Sequence, residues 1–105
     1  MQKLELEVYS PATNSAVVRM TGRRFPGVLL QGDSLSILLS GLMTALEGAE
    51  GKVDEETFLT LLEQAQTLEE HLLHYEATLQ EHGIDLPYVP DQRSTMRYAR
   101  YWEQK

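Results

Sequence analysis

Between Asp54 and Gly83 the residues Phe58, Leu61, Ala65, Leu68, Leu72, Tyr75, Leu79 and His82 recur in alternating steps of three and four. On a helix that spacing stacks side chains into one continuous seam, kept up here over about four heptad-like repeats. Asp54 is a good cap at the start and Gly83 a stop at the end. About 28 residues at 1.5 Å each make a rod about 42 Å long. Leu35, Leu38, Leu39, Leu42 and Leu46 repeat at helical spacing too and predict a first helix. That helix is roughly half as long, and Gly41 weakens it by about 1 kcal/mol against alanine. It cannot cover the whole seam, so the far half must meet a sheet, the C-terminal tail or a second copy. A homodimer through the second helix is therefore expected, since long exposed apolar stripes are rare on monomers.

The residues before the helices read as strands. Leu4, Leu6 and Val8 alternate with Glu5 and Glu7, the period of a half-buried strand. Residues 11–15 form a turn by composition, residues 16–20 are rich in β-formers, and residues 27–31 give a second short apolar run. The loop of residues 21–26 joins these last two as a hairpin. Leu4, Leu6 and Val8 would share a face with Val18, Met20 and Leu29, and Arg19 would lie across from Glu5 or Glu7. The fold class is thus α+β: a small antiparallel meander of about three strands packed against two antiparallel helices, the second long. Residues 1–88 form the expected domain. Residues 89–105 are a C-terminal tail carrying Arg93, Arg97 and Arg100 beside Tyr98, Tyr101 and Trp102, whose aromatics are expected to dock on the acidic helix.

Charge narrows the partners. The 105 residues carry a net charge of −7, but unevenly. Residues 47–85 hold 11 acidic side chains against Lys52 alone. An acidic middle disfavours phosphate-backbone binding, so a nucleic-acid role is not expected. It suits a basic protein partner, or the chain's own arginine-bearing tail. There is no cysteine, hence no disulfide, thiolate zinc site or thiol nucleophile. No run approaches the roughly 18 apolar residues of a membrane span. Glu5 and Glu7 fall where a signal peptide needs an apolar core, which points to the cytoplasm.

Gly32-Asp33-Ser34-Leu35 matches the signature of the GDSL esterases, with Ser34 at the nucleophile position. Such a serine needs a histidine oriented by a third group. In those esterases an aspartate three residues before the histidine supplies it, and no Asp-x-x-His occurs here. Their doubly wound sheet also needs about twice this length. A GDSL-type hydrolase is thus a remote alternative. Asp33 or Ser34 is expected to cap the first helix instead, and no catalytic residue is assigned. His71, His74 and His82 all fall on the second helix without a His-Glu-x-x-His or Glu-x-x-His pattern, so neither metal nor cofactor is expected.

Two candidate sites remain. Arg23, Arg24, Phe25 and Pro26 form an exposed-looking loop with two charges and an apolar tip, a plausible composition for binding a protein. At the other end of the hairpin, about 17 Å away, Asn14 and Ser15 neighbour the helix start at Asp33 and Ser34. That end is the alternative, a small-molecule or anion site using first-turn N–H groups.

The segments Ala-Val-Val-Arg, Gly-Arg-Arg-Phe-Pro-Gly-Val and Gln-Gly-Asp-Ser-Leu within residues 14–35 together resemble a family of small bacterial proteins of unknown function. The resemblance runs from about Leu4 to Tyr88 and implies no activity. In size, acidity and lack of cysteine the chain also looks like bacterial immunity proteins, an analogy of composition. The functional expectation is a non-enzymatic interaction module, immunity-like or regulatory, that binds a protein.

Overall fold

The computed structural model describes residues 1–103; of the tail, Gln104 and Lys105 lie outside the described residues. Three strands come first: β1 (Glu7–Ser10), β2 (Ala16–Arg19) and β3 (Gly27–Leu29). They form an antiparallel meander in the order β1-β2-β3. Two helices follow, α1 (Gly32–Ala49) and α2 (Glu55–Glu81). A 3-10 turn (Thr95–Tyr98) and a single helical turn α3 (Arg100–Glu103) complete the described residues. The class is α+β, with three strands and two main helices, the second of them long.

α2 ends as its sequence requires. His82 is the C-cap, and Gly83 takes the left-handed conformation at φ 68°. The Ile84 N–H donates to the Leu79 carbonyl at 2.9 Å and the Gly83 N–H to the Gln80 carbonyl at 3.1 Å. Those two bonds satisfy carbonyls the helix would otherwise strand, and a Cβ at this conformation would be strained. At the other end Asp54 holds the N-cap position, but its side chain makes no capping bond.

The helix pair supplies the core. Met43, Leu46, Phe58, Leu62 and Ala65 are fully buried or nearly so, with Leu39, Leu72 and Tyr98 around them. Burying each large side chain contributes about 1.5–3 kcal/mol. On α2 the buried line departs slightly from the seam: Leu62 is buried while Leu61 and Leu68 are half-buried and His82 is exposed. On α1 the correction is larger. The inward face is Gly32, Ser36, Leu39, Met43 and Leu46, while Leu38 is 54% exposed. The leucine pattern missed this rotation because two of the buried positions are the small residues Gly32 and Ser36, which carry no apolar signal.

Gly32 is the tightest point. A Cβ there would overlap the ring of Tyr75, which packs against the start of α1. The helix also begins earlier than expected. Gln31 occupies the N-cap position with no side-chain capping bond, and Gly32 is already helical. Asp33 and Ser34 therefore sit inside the first turn, and neither is the cap. The Asp33 carboxylate accepts the Ser34 N–H at 2.8 Å, and its charge suits the positive end of the helix dipole.

The tail covers what α1 leaves open on α2. Tyr98 meets Phe58 edge-on, with centroids 5.4 Å apart at 72°, and the Tyr101 ring lies 4.7 Å from Phe58. Such aromatic pairs add about 0.5–1.5 kcal/mol beyond their buried area. The buried Thr95 hydroxyl donates to Glu69 at 2.6 Å, and the Tyr88 hydroxyl to Glu76 at 2.7 Å. The seam of α2 is thus covered within one chain from Phe58 to Tyr75, while His82 at its far end is exposed.

The sheet makes no comparable contact. β1 begins at Glu7, so Leu4 and Leu6 precede the strand, both exposed. Val8 pairs with Val18 and Ala16 with Leu29, which puts Val8, Val18 and Leu29 on one face as the alternation implies. Yet Val8 is 57% and Leu29 42% exposed, and buried Val18 lies outside the helical core. The molecule is correspondingly elongated. Its radius of gyration is 16.5 Å, against about 13 Å for a compact chain of this length.

Replacing Gly32 by alanine is expected to destabilise the protein by about 1–3 kcal/mol through overpacking. Tyr75→Leu in the same background should recover most of that loss, because the two residues touch. Urea unfolding of the two single variants and the double variant reads this coupling. Additive losses would place the Tyr75 ring elsewhere.

Candidate functional site

The loop between β2 and β3 turns at Gly22, whose φ of 84° only glycine adopts freely. The Arg23 N–H closes the turn on the Met20 carbonyl at 3.0 Å. The loop then doubles over the apolar side of the sheet. It encloses an open cleft of about 560 Å³, with Val18, Met20 and Leu29 below, Phe25 and Pro26 as a wall, and Arg23 and Arg24 at the rim. Phe25 is 72% exposed, and the Arg24 guanidinium stacks on its ring at 5.3 Å.

The other arginines are committed to acids of the chain itself. Arg19 pairs with Glu7 across β1 and β2, as the cross-strand expectation held. Arg93 reaches Asp91 at 2.7 Å and Glu47 at 3.3 Å, Arg97 reaches Glu47 at 2.9 Å, and Arg100 pairs with Glu50. Arg23 and Arg24 make no ion pair among the described residues. In a chain with 16 acids against 9 lysines and arginines, two unpaired arginines beside an apolar cleft stand out. The acidic face of α2 remains partly open: Glu63, Glu70 and Glu81 are exposed, while Glu69 and Glu76 are bonded to the tail.

The tail carries a cluster that sequence reasoning missed. Asp91 accepts hydrogen bonds from the Arg93 side chain, from the Arg93 backbone N–H at 2.8 Å and from the Ser40 hydroxyl at 2.8 Å. The Arg93 guanidinium, then its N–H, hold the Asp91 carboxyl far below the ordinary carboxylate range, with Ser40 adding to the effect. Arg93 also donates to the Ser40 carbonyl at 3.2 Å, which ties the tail to α1. The Tyr88 hydroxyl is pushed up, first by burial and then by its bond to Glu76. The Asp-x-Arg spacing was visible in the sequence, but its partner Ser40 lies 51 residues away.

The alternative site is assembled less well. Gln31 donates to the Thr13 carbonyl at 3.4 Å, so the turn holding Asn14 and Ser15 does lie beside the start of α1. There, however, the Asp33 carboxylate already takes the Ser34 N–H and brings negative charge where an anion would sit. No hydrogen bond joins Ser34 to a histidine among the described residues, and His71, His74 and His82 are all exposed. No group of three or more His, Asp or Glu side chains is placed to hold a metal among the described residues. No helix among them is long and apolar enough to cross a membrane.

Fold and surface define a small α+β protein in which a helix pair carries a largely uncovered sheet. A family model described as a family of unknown function (DUF6959) matches residues 1–88, and the chain belongs to that family. No curated protein and no solved structure matches the chain.

Asp91 gives stability a defined pH dependence. Its native pKa lies below the unfolded value of about 3.9, so its contribution is complete above that value. It is lost as pH falls through the depressed native pKa. Asp91→Asn should lower the melting temperature at pH 7 by roughly 4–8 °C and lose less than the parent between pH 5 and pH 2. Calorimetry across that range checks both, and parallel curves for parent and variant would clear Asp91 of the role.

Proposed function

We propose that this protein is a non-enzymatic interaction module, cytoplasmic and either immunity-like or regulatory in role. The loop of Arg23, Arg24, Phe25 and Pro26, with the sheet face beside it, is one contact surface. The acidic face of α2 is a second, suited to a basic partner. The observation carrying this reading is the pair of arginines, neither in an ion pair among the described residues, at an open apolar cleft. Binding energy concentrates where an aromatic or arginine anchor sits among apolar neighbours, and Phe25 with Arg24 is such a group. The exposed sheet supports the same reading, since contiguous apolar surface of this kind marks interaction sites.

Affinity capture from the native bacterium tests the reading, with Arg23→Glu/Arg24→Glu as control. The parent should retain a protein that the double variant loses by at least tenfold. A partner kept equally by both would clear the loop of any part. Purified protein should give no chromogenic ester hydrolysis above background. Turnover abolished by Ser34→Ala at unchanged melting temperature would replace this reading with the hydrolase.

A further inference from the structure

The cleft beside the arginine loop carries charge of one sign. Arg23 and Arg24 line it and no Asp or Glu does, in a chain of net charge −7. The acids of the sheet lie elsewhere. Glu5 and Glu7 border a separate hollow with Arg19 and Arg23. Glu7 and Arg19 alternate with Val8 and Val18, so that hollow belongs to the opposite face of the sheet. Glu7 is also bonded already to Arg19 and Tyr9. Of the two hollows, Arg23 lines both and Arg24 lines only the apolar one.

We infer that the cleft receives an acidic segment of another protein, with an apolar side chain between Phe25 and the sheet and carboxylates beside it on Arg23 and Arg24. The inference rests on the proposed reading of this loop as a contact surface and names the chemistry of the partner there. Charge selects the sign. A guanidinium covered by a partner without acids would lose its water and receive no charge in return. Arg24 is moreover held in place, because its guanidinium stacks on the Phe25 ring at 5.3 Å. A planar guanidinium stacked in this way keeps N–H groups at its edge for a two-pronged bond to a carboxylate. Neither Arg23 nor Arg24 makes an ion pair among the described residues.

Shape selects a polypeptide. Small-molecule sites bury roughly 70–90% of their ligand, whereas this cleft is open, with the exposed Phe25 as its wall. A small acid lying there would stay largely in water. A polypeptide covers the cleft together with its surroundings, including the exposed Val8 on the same face of the sheet. A lipid surface fits less well, since Val18, Met20 and Leu29 form the floor of a hollow rather than a projecting tip. Anionic headgroups are also recognised by clusters of about four to eight basic residues, and the loop offers Arg23 and Arg24 alone. A nucleic acid would bring its phosphates against an acidic chain.

Selection from a random peptide library displayed on phage, with the full chain as bait, reads the partner's chemistry directly. Enriched peptides should carry Asp or Glu beside a large apolar residue. In fluorescence anisotropy with a labelled enriched peptide, Arg23→Glu/Arg24→Glu should weaken binding at least tenfold, through loss of charge-assisted bonds to both arginines. The same peptide with its acids changed to lysine should bind the double variant better than the parent, a reversal that misfolding of the variant cannot produce. Phe25→Ala should weaken binding of the acidic peptide with the helical circular dichroism unchanged. Enrichment of basic peptides alone, or of none, overturns the inference, and so does an acidic peptide that the double variant binds as well as the parent. Binding to phosphatidylserine vesicles that Phe25→Ala abolishes, without binding of any acidic peptide, would put a lipid surface in the cleft instead. A protein captured from the native bacterium through Arg23 and Arg24, with no acidic peptide enriched, removes this inference and leaves the proposed function standing. Acidic peptides bound at the cleft with no protein captured do the reverse.

Discussion

The ring of Phe58 joins three parts of the chain that are far apart in sequence. It sits on α2, packs with the buried Met43 and Leu46 of α1 in one cluster, and carries Tyr98 and Tyr101 of the tail on its remaining side. A helix as long as α2 presents more apolar surface than one shorter neighbour hides, and the surplus has to be covered. Here the tail does it, returning from Gly83 along α2 in an extended path before its aromatic residues drop onto Phe58. The polar fastenings follow from that path. Thr95 bonds to Glu69, while Arg97 pairs with Glu47 and Arg100 with Glu50, and the two arginines neutralise part of the acidic stretch. Exposed pairs of this kind add little individually; they fix where the tail lies, while the aromatic contacts hold it.

Because the helices and tail complete a core among themselves, the sheet is left outside it. This division organises the surface. The helical part is acidic and buries a core of its own, with Ile37, Leu38 and Leu73 left exposed. The sheet part is slightly positive and apolar, and it holds two arginines that make no ion pair among the described residues. An interaction through the sheet and loop, as proposed, would disturb little of what keeps the helices folded. The match of the family to residues 1–88 includes α1, α2 and the sheet but stops before Tyr98, so part of the core of this chain comes from residues outside the matched segment.

Much of the architecture was legible in the sequence because it rests on local rules. The period of the seam, Gly83 as a stop and alternation about Val8 each report a neighbour a few residues away. The cross-strand partner of Arg19 was legible only as Glu5 or Glu7, from the meander order, and the register makes it Glu7. What escaped depends on contacts between distant segments. Met43 is fully buried although the leucines around it fit the helical pattern better, and Gly32 is buried where a Cβ would overlap the Tyr75 ring. The helix start was placed at Asp33 or Ser34 because both are strong caps, yet the chain is already helical at Gly32. The loop of Arg23, Arg24, Phe25 and Pro26 was visible as a composition. That its arginines lack partners could not be read without knowing that the others find theirs in β1, α1 and the tail itself.

The central physical claim is that the tail belongs to the helical core. Native-state hydrogen exchange on the full chain tests it at single amides. The Thr95 N–H is held by Glu69 and the Ala99 N–H by the Met96 carbonyl. Both are expected to exchange as slowly as amides in the middle of α2 around Leu62, through the same global opening. Exchange of Thr95 and Ala99 at the rate of an unstructured chain, with α2 still protected, would contradict the account.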